Sequence, residues 1–230
     1  LRLPPTKLGN EGVPAPQLCQ LTLANPNRPY EQRAYHLGPV SGAKVGSKGF
    51  LALVDKYGLD VIWAAIASQI EYAERRTRKY IQQIADGRYF AETELLEDGS
   101  MCGPVRLALT VIVQGDEITF DFTGTDPSVA GPINCPMSAT ISACLFGLLA
   151  LLPIDVPKNE SAANPVHIIA PVGSLVNTRF PAAVYQRMAV TNNIVDLVFD
   201  SLSTGVPHKV MANLCALVLF VGSAINSECH

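Results

Sequence analysis

Gly115-Asp-Glu-Ile-Thr-Phe-Asp-Phe-Thr-Gly-Thr-Asp-Pro-Ser-Val-Ala-Gly-Pro-Ile-Asn-Cys-Pro136 reads as a short strand running into a loop of backbone-permissive residues. Ile118, Phe120 and Phe122 alternate with Thr119, Asp121 and Thr123. That period of two puts one row of side chains in a core and the other outside it. The loop that follows is dense in Gly, Pro, Asp and Asn, an arrangement by which many sheets deliver polar groups to a pocket. Just upstream, Val105, Leu107, Leu109, Val111 and Val113 alternate with Arg106, Ala108, Thr110 and Ile112, a second strand with one drier face. The tight connection Gln114-Gly115-Asp116-Glu117 predicts that 105–113 and 117–122 pair as an antiparallel hairpin.

Working outward, 88–96 reads as a further strand, with a turn at Glu97-Asp98-Gly99-Ser100. Ahead of it, Ile62, Ile66, Ile70, Ala73, Tyr80 or Ile81 and Ile84 recur every three to four residues. This single apolar stripe predicts a helix over 59–86, with Asp60 as a cap and Asp86-Gly87 as its stop. A short helix is expected over 48–57, closed by Gly58. Beyond the central loop we expect a buried helix at 138–152, a brief strand at 166–170 and a helix at 189–203 carrying Val190, Ile194, Val198 and Leu202. Residues 1–46, rich in proline and glycine and without periodicity, read as an extended wrapping segment. Residues 47–230 form the folded remainder. The class is α+β: an antiparallel hairpin region flanked by long amphipathic and buried helices, within a larger subunit fold.

Charged residues make up 16% of the 230 residues, below the roughly 25% typical of soluble domains. Mean hydropathy is +0.23, so the chain is read as one that buries surface against other protein. A net charge of −3 gives no general attraction to nucleic acid. The basic run at 74–79 has Glu71 four residues before Arg75 and Glu74 four before Arg78, which makes it a solvated helix face. The apolar runs 143–156 and 210–225 are shorter than the ~20 residues of a spanning helix and read as buried core, so no membrane partner is expected. Six cysteines without paired spacing suggest no disulfide framework and favour a reducing compartment, here the cytoplasm.

No Gly-x-Ser-x-Gly elbow occurs, and Gly42-Ala-Lys-Val-Gly-Ser-Lys-Gly49 fits neither phosphate-loop spacing; it reads as a turn. His36, His167, His208 and His230 share no metal-ligand spacing, and His167 reads as a core histidine. There remain the loop polar residues Asp121, Thr123, Thr125, Asp126, Asn134, Asn177 and Arg179. Carboxylates beside glycine can act as general bases or hold a metal. Asp, Asn and Thr equally satisfy turn backbone.

An ordered series of motifs adds to this. Leu3-Pro-Pro-Thr-Lys-Leu8 opens the chain, followed by Asp55-Lys-Tyr-Gly-Leu-Asp60 and Tyr72-Ala-Glu-Arg-Arg76. Asp121-Phe-Thr-Gly-Thr-Asp126 precedes Gly131-Pro-Ile-Asn-Cys-Pro136. Then come the run from Pro165-Val-His to Val176-Asn177, Pro181-Ala-Ala-Val184 and Ile194-Val-Asp196. Over residues 1 to 210 the series resembles the hydantoinase B / 5-oxoprolinase family. The resemblance implies the B-type subunit of an ATP-dependent hydrolase of cyclic amides (hydantoin, 5-oxoproline or lactam). A hydantoinase A-type partner with ATP and magnesium would activate the carbonyl within a hetero-oligomer. It marks Asp121 and Asp126 as weak catalytic candidates, and Thr123, Thr125, Asn134, Asn177 and Arg179 as substrate-binding candidates. No metal or cofactor is expected on this chain; a divalent metal is expected only in an N-terminal region that the family carries ahead of Leu-x-Pro-Pro.

The sequence departs from the family pattern at Gln186-Arg187-Met188, where Gly-Gly-Asn is expected, at Tyr35-His-Leu-Gly-Pro39, and at Ala212-Asn-Leu-Cys-Ala-Leu-Val218. Arg187 in place of glycine is expected to fill space that a ligand would use. Two alternatives therefore stand beside the hydrolase reading: a degenerate, non-catalytic interaction paralogue, and a subunit of a related ATP-dependent ketone carboxylase.

Overall fold

The computed structural model describes residues 6–7, 9–10, 13–24, 29–96, 103–153, 155–207 and 209. The expected turn at 97–100, the run 210–225 with its altered motif, the Leu-Pro-Pro opening and His208 and His230 lie outside them. The chain divides into two compact units, 1–67 and 68–230.

In the first unit, β1 (Gly9–Asn10) and β2 (Val13–Pro14) form a two-stranded antiparallel ladder. Helix α1 (Pro16–Leu23) lies against α2 (Pro29–Tyr57). Residues 29–46 are thus helical rather than extended, and the expected 48–57 helix is only the end of α2. The stretch 42–49, read as a turn, lies inside it. Glycine and proline weaken a helix without forbidding it. Extending a formed helix adds one bond per residue fixed, and α2 continues through Pro39 on those terms. Gly58, at φ 84°, ends α2 with its N–H on Val54 O at 2.8 Å. Helix α3 (Leu59–Ile81) follows directly.

In the second unit, β3 (Gly87–Leu95), β4 (Val105–Gln114), β5 (Glu117–Asp121) and β6 (Val166–Ile169) form one sheet in that order. The first three are antiparallel, with Val113 opposite Ile118 and Val111 opposite Phe120. The hairpin closes at Gly115, whose φ of 63° suits a tight primed turn. β6 joins β5 in parallel, so the sheet is mixed. α+β is the class observed.

Burial is one-sided. Leu107, Leu109, Val111, Ile118, Phe120 and Phe122 are wholly buried, each contributing about 1.5–3 kcal/mol relative to exposure. They pack against Tyr80 and Ile81 of α3 and against α4 (Met137–Leu151) and α5 (Met188–Leu202). The other sheet face carries Phe90, Thr119, Asp121, His167 and Ile169. His167 is 53% exposed, not a core histidine, because the parallel register puts it beside Thr119 on the outer face.

Arg78 ties α3 to the β4–β5 hairpin through Asp116 and Glu117 at 3.3 Å and is braced within α3 by Glu74 at 2.9 Å. Glu117 also meets His167 Nε2 at 3.2 Å, and Asn164 Nδ2 donates to Glu74 at 2.7 Å. The His167 contact, then Arg78, holds the Glu117 carboxyl below the ordinary range; Asn164, then Arg78, does so for Glu74. Both carboxylates ionise more readily folded than unfolded. Their contribution is therefore complete above the unfolded glutamate value of about 4.3 and is lost as pH falls through the lower folded value. We expect Glu117→Gln to lose less melting temperature than the parent between about pH 5 and about pH 3, with salt shrinking the difference. Parallel acid limbs in thermal melts would refute the pairing.

Candidate functional site

The polar residues of the central loop and of 171–187 are gathered at the end of the sheet where β5 leaves it. Asp121 ends β5, and its Oδ1 accepts the Thr123 N–H at 2.9 Å. Thr125 Oγ1 accepts the Ala108 N–H at 3.1 Å and donates to Ala108 O at 3.0 Å. A hydroxyl thus does at this step what a strand backbone would do. Asp126 continues the pattern: its N–H donates to Arg106 O at 3.1 Å and its Oδ2 accepts the Arg106 N–H at 2.7 Å. Side chains prolong the β4 ladder past the end of β5.

Asn134 is wholly buried. Its Nδ2 lies 2.9 Å from Val129 O and Gly131 O and 3.0 Å from Ala183 O, and its Oδ1 accepts the Val129 N–H at 2.8 Å. An amide has two donor hydrogens, so none remains for a ligand. Asn177 Nδ2 donates to Ala170 O at 2.8 Å, holding the second loop to the end of β6. Thr123 and Arg179 reach solvent. The exposed candidates are therefore Thr123 and Arg179. Asp121 and Asp126 are half-buried with one carboxylate oxygen each on a backbone N–H, Thr125 bonds β4, and Asn134 and Asn177 hold the loops.

The two loops interlock. Cys135 N–H donates to Leu175 O at 2.8 Å, Leu175 N–H to Asp126 O at 2.9 Å and Thr178 N–H to Cys135 O at 3.2 Å. Sequence reasoning missed Ser128, whose Oγ sits 2.8 Å from Thr178 Oγ1 and 3.0 Å from Gly173 O. It also missed Thr140, whose Oγ1 donates to Val176 O at 2.6 Å. These contacts join residues 36 to 50 positions apart, and no local pattern signals them. Ser174 Oγ is buried without a hydrogen-bond partner.

Beneath the loops, α4 and α5 run side by side in the same direction. Gln186 N–H donates to Pro132 O at 2.9 Å at their start, and Gly147 and Val198 touch at matching depth. Neither helix has a capping side chain or an acidic residue in its first turn. Each N-terminus carries roughly half a positive charge, and backbone N–H groups at such ends suit anions. Arg187, at the start of α5, is exposed and donates to Val184 O at 3.3 Å. It adds charge at the surface instead of filling the interior as expected from its replacement of glycine.

Two chemistries find no support. Burial pushes the Cys135 thiol up, and burial with the neighbouring Cys135 does so for Cys144, so neither offers a thiolate nucleophile. Among the described residues no three His, Cys, Asp or Glu side chains are grouped for a metal. Asp126 Oδ2 is committed to the Arg106 N–H and Asp121 Oδ1 to the Thr123 N–H. Among these residues no helix is long and apolar enough to cross a membrane.

These features define an α+β scaffold with a one-sided sheet and a cluster of interlocked loops at one end, over the starts of α4 and α5. The family model for hydantoinase B/oxoprolinase matches residues 1–227, and the chain belongs to that family. It is 32% identical over 200 residues to a Pseudomonas sp. (strain NS671) chain provisionally named as the B component of a D-/L-hydantoinase, covering 82% of this chain and 34% of that one. It is 29% identical over 220 residues to the beta chain of the caprolactamase of Pseudomonas jessenii, covering 93% and 37%. The crystal structure of the ATP-dependent caprolactamase of Pseudomonas jessenii superposes with a TM-score of 0.79 at 27% identity, over 91% of this chain and 36% of that chain. The chain thus spans about a third of the length of these relatives.

Proposed function

We propose that this chain forms part of a B-type subunit of an ATP-dependent cyclic-amide hydrolase. It would act on a carbonyl that an A-type partner, using ATP and magnesium, has activated as a phosphate ester. An amide carbonyl is a poor electrophile and its phosphorylated form a good one, so the second step needs donors for the departing phosphate. The observation that carries this reading is the pair of uncapped helix N-termini, α4 and α5, set side by side under the interlocked loops. Arg179 and Arg187 would attract the anion, and Asp121 and Thr123 would face the ring that opens. Both relatives are named as one component of an assembly, which supports a partner for this chain as well.

The test is reconstitution with an A-type partner and the remaining B-type polypeptide, measuring ATP-dependent ring opening of 5-oxoproline, a hydantoin and a lactam. The double variant Arg179→Ala, Arg187→Ala is expected to lose about tenfold or more in kcat/KM, the order of one or two charge-assisted contacts, with an unchanged melting temperature. Absence of turnover with every component present would remove the hydrolase reading.

A second reading, a non-catalytic interaction protein, is favoured by the polar atoms that Thr125, Asp126 and Asn134 spend on backbone. Failure of the isolated chain and of the assembly to bind inorganic phosphate would favour it. The ketone-carboxylase alternative is separated by bicarbonate dependence in the same assay.

A further inference from the structure

Strand β3 is at one margin of the sheet, and the ladder registers show which of its backbone groups are unused. Ile118 N–H donates to Pro165 O at 3.0 Å and Phe122 N–H to Ile169 O at 2.8 Å, so even-numbered residues of β5 bond toward β6. Its odd-numbered residues then bond toward β4, opposite Gln114, Ile112 and Thr110. Antiparallel ladders alternate, which leaves the odd-numbered residues of β4 to bond β3 through Gly87, Tyr89, Ala91, Thr93 and Leu95. The N–H and C=O groups of Arg88, Phe90, Glu92 and Glu94 therefore point away from the sheet. No strand among the described residues takes them up.

We propose that this edge pairs with β3 of a second copy of the chain, antiparallel about a twofold axis at Ala91, giving a continuous eight-stranded sheet. Of the twofold registers open to it, this one engages all four outward residues, setting Arg88 against Glu94 and Phe90 against Glu92 in each direction. The charges then match twice over. Among the described residues Arg88 has no carboxylate partner, and Glu94 stands beside the Arg106–Glu92 pair, itself closed at 2.6 Å. Charge on an edge strand commonly guards it against association, through repulsion where like charges meet across the new pairing; in this register opposite charges meet at mirror positions. Ala91 at the axis is small, and Phe90, 56% exposed, would cover the aliphatic part of the opposing Glu92. The interface does not depend on the chemistry of the loop site.

Sedimentation velocity of the purified chain across a concentration series tests this, together with amide hydrogen exchange. The parent is expected to form dimers, with the N–H groups of Arg88, Phe90, Glu92 and Glu94 slowing in exchange as concentration rises. Arg88→Glu and Glu94→Arg, each placing like charges opposite at two positions, should each weaken dimerisation about tenfold, and the double reversal should restore it. The idea is overturned by a monomer throughout the series, by a dimer indifferent to the single reversals, or by edge amides that are protected at every concentration. The last result would mean another polypeptide already holds the strand. Exchange on the parent protein decides the matter even if a variant fails to fold.

Discussion

Asn134→Ala is expected to destabilise the protein by about 3–5 kcal/mol, because it strands several buried backbone groups at once. The side chain fixes Val129, Gly131 and Ala183 with both donors and holds the Val129 N–H with its oxygen. Alanine removes all of these at a wholly buried position, where water does not replace them. For a chain of this length the loss corresponds to a melting temperature lower by roughly 6–20 °C. Asn134→Asp tests the donor role separately: the carboxylate keeps an acceptor for Val129 and loses both donors, so it should be no better tolerated. A drop under about 1 kcal/mol in denaturant unfolding would mean the loops hold together without this amide.

Gly147→Val is the second large effect, at about 3 kcal/mol, in the upper range for overpacked cores. A Cβ at Gly147 would sit 2.9 Å from Val198 Cγ1 and 3.0 Å from Val198 Cβ. Val198 is wholly buried on α5 and stiff at χ1, so it cannot swing aside and the helices must part. The pair Gly147→Val, Val198→Ala should recover most of the loss, whereas Val198→Ala alone opens a cavity. Equal instability of the single and double variants in denaturant melts would place the strain elsewhere. Since the close approach also fixes the spacing of the two N-termini, the proposed function predicts weaker phosphate binding by the uncompensated variant along with lower stability.

What the sequence made legible divides along physical lines. The strands expected at 105–113 and 117–122 and the helix expected at 189–203 come from periodic burial, which a linear pattern records directly, and the helix at 138–152 from a continuous apolar run. The helix expected over 59–86 ends at Ile81, and its apolar stripe is fully buried only from Ala73 onward. The helix through 29–46 was hidden because Gly38, Pro39, Gly42 and Gly46 are local signals for a break, and tertiary and propagation effects override local signals. His167 was misread because Val166-His-Ile-Ile169 looks uniformly apolar. Only the parallel register with β5 decides which of the four face outward. In the loops, Asn134, Thr125 and Asp126, singled out as polar candidates, bond backbone brought close from elsewhere. The sequence carries no marker for that distant partner, nor for Ser128 and Thr140, which do similar work. Domain limits were also out of reach, since the division near Ala67 falls within a continuous helix.

Four residues long and at the sheet margin opposite β3, β6 is the strand with least to lose by coming away. Two supports of the loop cluster lean on it: Phe122 N–H reaches Ile169 O, and Asn177 Nδ2 reaches Ala170 O. Fraying there would slacken both loops together. A molecule clasped between them acts as a brace on that margin, so occupancy should be readable as rigidity several ångströms from where the molecule sits.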